Sequence, residues 1–231
     1  RHRDHEEIAL RRRDLEGLSS RGVAVEGRDH PFESAHEAAL VLHDWGGMIG
    51  MTYAAQMPER VARIILMNTG AFRLPTAKAL PHSIRLCRTP FLGSILVRGL
   101  NAFSKGAIHT CVTRRPLDDS AREGYLAPYD SWRTRQAVLK FVQDIPLDDR
   151  HASWSTVIET ESRLSDFRHT PVMIAWGARD FVFDDHFLDT WKRHLPQAEV
   201  HRIADAGHYL LDDAWEDVLP LTRDFLARHP C

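Results

Sequence analysis

The chain has 231 residues, 43% of them hydrophobic and 27% charged, with a formal net charge of −2 from 30 basic against 32 acidic side chains. That balance belongs to a globular protein with a sizeable core, and it excludes a disordered chain or a strongly basic nucleic-acid binder. No apolar run approaches the ~18–20 residues of a membrane span, and no signal-type apolar stretch follows Arg1-His2-Arg3. The three cysteines, Cys87, Cys111 and Cys231, lie far apart with no Cys-x-x-Cys. They argue against a disulfide framework or thiolate zinc site and for reduced thiols in a cytoplasmic setting.

Residues 1–36 are atypical. Eighteen of the first 35 are Asp, Glu, Lys, Arg or His, which leaves no apolar run able to form a buried strand. Weak helix or loose chain is expected there. From Ala38 the pattern changes: an apolar strand, Ala38 to Leu42, runs into His43-Asp44-Trp45-Gly46-Gly47, then a helix from Met48 to Met57, then a second strand from Val61 to Met67. Strand, tight turn, helix and strand make a βαβ unit, and hence a parallel sheet covered on both faces. The grammar returns in a strand at Pro171–Trp176, a helix at Phe187–His194, a strand at Glu199–Ile203 and a last helix over Ala214–Ala227. Residues 71–168 show helical periodicity and almost no strand signal, with a clear helix over Ser131–Val142. They are expected to form an inserted helical subdomain between core portions 37–70 and 169–231.

Asp44 falls where a strand must turn sharply into a helix, a geometry that lifts a side chain above the sheet edge for nucleophilic attack. The bland alternative is an aspartate that caps the helix. Asp180 follows the strand ending at Trp176, and His208 follows the strand ending at Ile203. The C-terminal ends of parallel strands share one crevice, so the three side chains should converge in the order nucleophile, orienting acid, general base. His194, His201 and His208 are spaced by seven but fall on helix, strand and loop, so they present no shared metal-binding face. Asp184-Asp185-His186 reads as a solvated helix start.

These residues resemble the α/β-hydrolase fold, in particular its aspartate-nucleophile branch of haloalkane dehalogenases, epoxide hydrolases and β-lactone decarboxylases. The likeness covers about residues 37–231. It is most specific to the β-lactone decarboxylases of bacterial olefin biosynthesis, through Leu42–Ala55, Asn68–Pro75, Val97–Phe103, Gly124–Trp132, Phe141–Leu147 and Ala175–Phe187. The resemblance implies an enzyme without cofactor or metal. Asp44 would be its nucleophile, His208 its general base and Asp180 the acid that orients the base. Trp45 would be a substrate-binding ring N–H donor, and 71–168 a helical cap over a hydrophobic small-molecule substrate. Loss of the carboxyl carbon from a long-chain cis-β-lactone would then release a cis-alkene. Haloalkane dehalogenation is the nearest rival, because the same four residues serve it. An epoxide substrate fits less well, because the cap holds only Tyr125 and Tyr129 as tyrosines, four residues apart.

The family's first strands and the His-Gly turn that follows them have no counterpart in the 43 residues before Asp44. A chain truncated or mis-started at its N-terminus is expected on that reading, with the first visible strand an open apolar edge. From Arg60 to Leu117 there is no Asp or Glu, while ten Lys and Arg are interleaved with Pro90-Phe91-Leu92-Gly93-Ser94-Ile95-Leu96-Val97. That segment reads either as a solvated cap surface or as a docking face for an anionic membrane or another enzyme of the pathway. A non-catalytic remnant or docking module is the alternative to an enzyme, and it would show a broad unfolding transition rather than a cooperative one.

Overall fold

The computed structural model describes residues 38–230, so the expectation for residues 1–36 lies outside the described residues. Four apolar runs form one parallel sheet in the order β1 (Ala38–Asp44), β2 (Val61–Thr69), β3 (Val172–Gly177), β4 (Glu199–Ile203). Leu42 pairs with Leu66, Leu66 with Ile174, and Ile174 with Val200, so one register carries apolar side chains across all four strands. Among the described residues β1 is an edge strand, and its Val41 is 54% exposed.

The period-two alternation of the strands divides the core in two. Leu42, Ile64, Leu66, Ile174 and Trp176 pack with Met51 and Ala54 of helix α1 (Trp45–Gln56) and with Leu188 and Trp191 of a later helix. Ile65, Met67, Met173 and Ala175 pack instead with Leu210, Val218 and Phe225 near the C-terminus. Every residue of β3 is buried, as expected of a central strand covered on both faces. Leu66 and Ile174 are fully buried, and removal of such a side chain from water contributes roughly 1.5–3 kcal/mol each.

Between β2 and β3 the regular elements are helical: α2 (His82–Arg88), α3 (Pro90–Ser94), α4 (Ala102–Thr110), α5 (Asp119–Leu126), α6 (Gln136–Gln143) and α7 (Trp154–Arg163). A single wide turn, Ile95–Gly99, extends α3. These helices have their own apolar cluster, centred on Ile84, Val97, Val138, Leu139 and Val142. After β3 come α8 (Asp185–His194), β4, the short α9 (Leu210–Asp213) and α10 (Trp215–Arg228).

Two helix boundaries differ from the sequence expectation for physical reasons. The helix expected over Ser131–Val142 begins only at Gln136, because the Ser131 N–H donates to Thr134 Oγ1 (3.0 Å) and the Thr134 N–H to Ser131 Oγ (3.3 Å). Those local bonds compete with helical ones. The helix expected from Met48 starts at Trp45, directly on the strand end, so the intervening turn is shorter than the glycines suggested.

Candidate active site

Asp44 ends β1 with φ 50° and ψ −125°, a conformation that L-residues rarely adopt. Backbone of this kind typically costs 1–3 kcal/mol and is held in place by its surroundings. The hydroxyl of Thr69 at the end of β2 donates to the Asp44 carbonyl. Gly47 lies so close that an added Cβ would sit 1.8 Å from Thr69 Oγ1. Close approach of α1 to β2 is therefore the reason for glycine there. The Asp44 carboxylate makes no capping bond to α1, and its side chain is 43% exposed. The helix-capping alternative thus finds no hydrogen bond to support it.

Asp180 sits in the loop after β3 with its side chain fully buried. Its Oδ1 accepts the N–H groups of Val182 (2.7 Å) and Phe183 (3.1 Å), and its Oδ2 lies 2.7 Å from His208 Nδ1. Nδ1 therefore carries the proton, leaving the Nε2 lone pair free. Nε2 lies 3.9 Å from Asp44 Oδ1. The structure thus brings together all three residues singled out from the sequence. Burial disfavours the His208 cation, but the hydrogen bond to Asp180 and the charges of Asp180 and Asp44 outweigh it, raising the imidazole pKa above its ordinary value. Trp45, at the first turn of α1, meets Phe141 of α6 edge-on at 5.5 Å between ring centroids.

Sequence reasoning did not identify three supports of this site. The His43 ring lies against that of His208, centroids 4.7 Å apart and tilted by 36°, and its Nε2 donates to the His208 carbonyl (2.8 Å). Burial first, then the neighbouring His208, hold its pKa below the usual imidazole value, favouring a neutral ring. Asn68, buried at φ 33°, donates to the Gly177 carbonyl (2.9 Å) and the Phe183 carbonyl (3.3 Å) and accepts the Gly177 N–H (2.7 Å). It spans both ends of the loop that carries Asp180. The adjacency of His43 to Asp44 and the place of Asn68 at the end of the second strand were visible in the chain; the contacts they make were not.

Asp213 is the third. It is 1% exposed, and its carboxylate accepts the N–H of Gly207 (2.7 Å), the N–H (2.8 Å) and hydroxyl (3.0 Å) of Thr113 and the N–H of Arg114 (2.8 Å). The Tyr209 N–H donates to the Cys111 carbonyl (2.8 Å), and a Cβ on Gly207 would lie 2.6 Å from that same oxygen. The loop that presents His208 is thereby fixed to the chain leaving α4. Asp213→Asn keeps the shape but turns an amide donor toward N–H groups. It should lower stability by roughly 2–4 kcal/mol in chemical denaturation. An unchanged midpoint would show that this carboxylate is not a structural anchor.

A parallel sheet that gathers an aspartate elbow, a histidine and a buried acid at its strand ends defines the class, and the chain belongs to the alpha/beta hydrolase family, whose family model matches residues 2–221. It is similar to the cis-3-alkyl-4-alkyloxetan-2-one decarboxylase of Shewanella oneidensis, 49% identical over 188 residues that cover 81% of this chain and 59% of that protein. The protein of the same name from Xanthomonas campestris pv. campestris is 44% identical over 191 residues, covering 83% and 63%. The chain therefore spans about three fifths of the length of these relatives. A haloalkane dehalogenase of Mycolicibacterium paratuberculosis is 26% identical over 182 residues, covering 77% of this chain and 56% of that protein. Among solved structures, the haloalkane dehalogenase DatA from Agrobacterium tumefaciens C58 superposes with a TM-score of 0.71 at 22% identity, covering 83% of this chain and 67% of that one. DbeA from Bradyrhizobium elkani USDA94 gives 0.72 at 21% identity, covering 85% and 70%. At these identities the likeness to the solved structures establishes the fold.

Proposed function

We propose that the chain is the catalytic portion of a cofactor-independent enzyme that converts a long-chain cis-β-lactone to a cis-alkene, the alkene-releasing step of olefin biosynthesis. The observation that carries the reaction class is the strained Asp44 beside a His208 whose free Nε2 is set by buried Asp180. Breaking the ring C–O bond and the bond to the carboxyl carbon gives an alkene and carbon dioxide with no net redox change, so the chemistry calls for a nucleophile and a base alone. In this reading Asp44 adds to the lactone carbonyl. The bond from that carbon to the ring carbon breaks, and its electron pair forms the C=C bond and releases the ring oxygen from the other ring carbon. The carboxyl carbon is left on Asp44 as a mixed anhydride that water deprotonated by His208 splits to bicarbonate and free Asp44.

The choice of lactone over halide is supported by the 49% and 44% identities to proteins named as decarboxylases, against 26% for a dehalogenase. Tyr125 supports the preference over an epoxide, because its hydroxyl is committed to Asp212 at 2.6 Å. We read residues 71–168 as a cap and Trp45 as a substrate contact; the packing of Trp45 on Phe141 of α6 supports both. The free, buried thiols of Cys87 and Cys111 are in keeping with a cytoplasmic protein.

The test is product analysis with a synthetic cis-β-lactone, a 1-haloalkane and a terminal epoxide of equal chain length. Alkene from the lactone, with neither halide nor diol released from the others, is expected. Halide release without alkene would replace this reading with dehalogenation.

A further inference from the structure

The basic segment 60–117 is not uniform in the folded chain. Arg73 is paired with Glu161 (2.8 Å), Lys78 with Asp184 (2.7 Å), Arg114 with Asp205 and Asp217 (2.8 and 2.6 Å), and Arg115 with Glu216 (2.5 Å). These cations are neutralised by Glu161 on α7 and by acids that follow β3 in the chain. Arg85, Arg98 and Lys105 have no ion-pair partner among the described residues, and Arg85 and Lys105 are exposed. Arg88, in the same stretch, lies within the field of Asp144 and Asp148 and donates to the Val142 carbonyl (2.8 Å), which accounts for it.

Arg98 lies on the same helical stretch as an outward apolar face, and Arg85 and Lys105 lie on the helices that precede and follow it, α2 and α4. On α3 and its extension, Gly93 and Val97 are buried and Val97 joins the helical cluster. Phe91 and Ile95 project on the opposite side, as their helical spacing requires. They are 87% and 50% exposed, and Leu92 beside them is 43% exposed. Arg98 extends the face, its guanidinium lying 4.3 Å above the ring of Trp132, which is itself 49% exposed. A cationic side chain laid along an exposed tryptophan, next to outward Phe and Ile, is the amphipathic pattern that settles at a lipid headgroup boundary. Self-association through this face would set its unpaired cations against one another, and a polyanion without lipid would leave Phe91 and Ile95 in water.

We propose that this face docks on an anionic membrane surface, with Phe91 and Ile95 at the acyl boundary and Arg85, Arg98 and Lys105 on the lipid phosphates. Membrane contact would place a lipid-like substrate beside the helical segment that carries Phe141. The proposal does not depend on which reaction Asp44 performs.

Sedimentation with vesicles tests it. Retention is expected on vesicles containing phosphatidylglycerol at low salt, with release at high salt and no retention on pure phosphatidylcholine. Phe91→Ser with Ile95→Ser should weaken retention about tenfold or more, and Arg85→Gln with Lys105→Gln by roughly fivefold per charge. All of these side chains are on the surface, so thermal unfolding should match the parent chain. No retention on phosphatidylglycerol at low salt would overturn the proposal. So would retention unchanged in both double variants, or concentration-dependent dimerisation that the Phe91/Ile95 variant abolishes.

Discussion

Asp44→Asn is expected to abolish turnover of a cis-β-lactone, by on the order of 10⁴–10⁶-fold, while leaving the fold intact. The amide is nearly isosteric with the carboxylate but is neutral and a poor nucleophile, so the covalent route closes. Loss of structure should not confound the result. The carboxylate caps nothing on α1, and asparagine tolerates a positive φ at least as well as aspartate. Urea unfolding of the variant should therefore resemble that of the parent. Residual activity above about a hundredth of the parent rate would mean that Asp44 assists catalysis without attacking the substrate.

The second large effect concerns His208. His208→Gln should slow turnover by on the order of 10³–10⁴-fold, because the proposed water-activating base is removed while Asp44 remains. The parent should also show a pH dependence with two opposite parts. The folded-state pKa of His208 is raised above 6.5, so its contribution to stability is fully present below 6.5 and is lost as pH rises through the folded value. Activity follows the neutral ring and rises over that same interval. Titration of rate and of unfolding midpoint on one buffer series should show the two curves crossing. A rate that rises with acidification would place the proton on the wrong partner.

The sheet and the three converging side chains were legible in the chain because their signals are local. Continuous apolar runs mark β2 and β3; Asp44 ends β1, and Asp180 and His208 stand in the loops that follow β3 and β4. The parallel order of the strands then brings their ends together without further information. The supports were not legible, because each depends on a partner remote in sequence. Asn68 is held by Gly177, Asp213 by Thr113 and Arg114, and His43 by the His208 carbonyl. An aspartate in Leu210-Leu211-Asp212-Asp213 reads as surface helix until the chain leaving α4 closes over it. Helix boundaries between β2 and β3 were obscured for a different reason. At Ser131 and Thr134 short polar side chains hold the backbone out of the helix that the apolar spacing suggests.

The division of the basic segment was likewise invisible in the sequence. Ten cations without an intervening acid look alike in one dimension. Folding brings Glu161, Asp184, Asp205 and Glu216 onto some of them and leaves the stretch around Phe91 uncompensated. A surface that is both apolar and cationic follows from that selection rather than from composition.

Peptide mass spectrometry of His208→Gln after incubation with a synthetic cis-β-lactone tests the proposed attack of Asp44 on the lactone. With the clearing step disabled, a substrate-derived mass is expected on the peptide containing Asp44 and not in Asp44→Asn/His208→Gln. An unmodified Asp44 peptide in a variant that still binds the lactone, or an adduct on another residue, would contradict it.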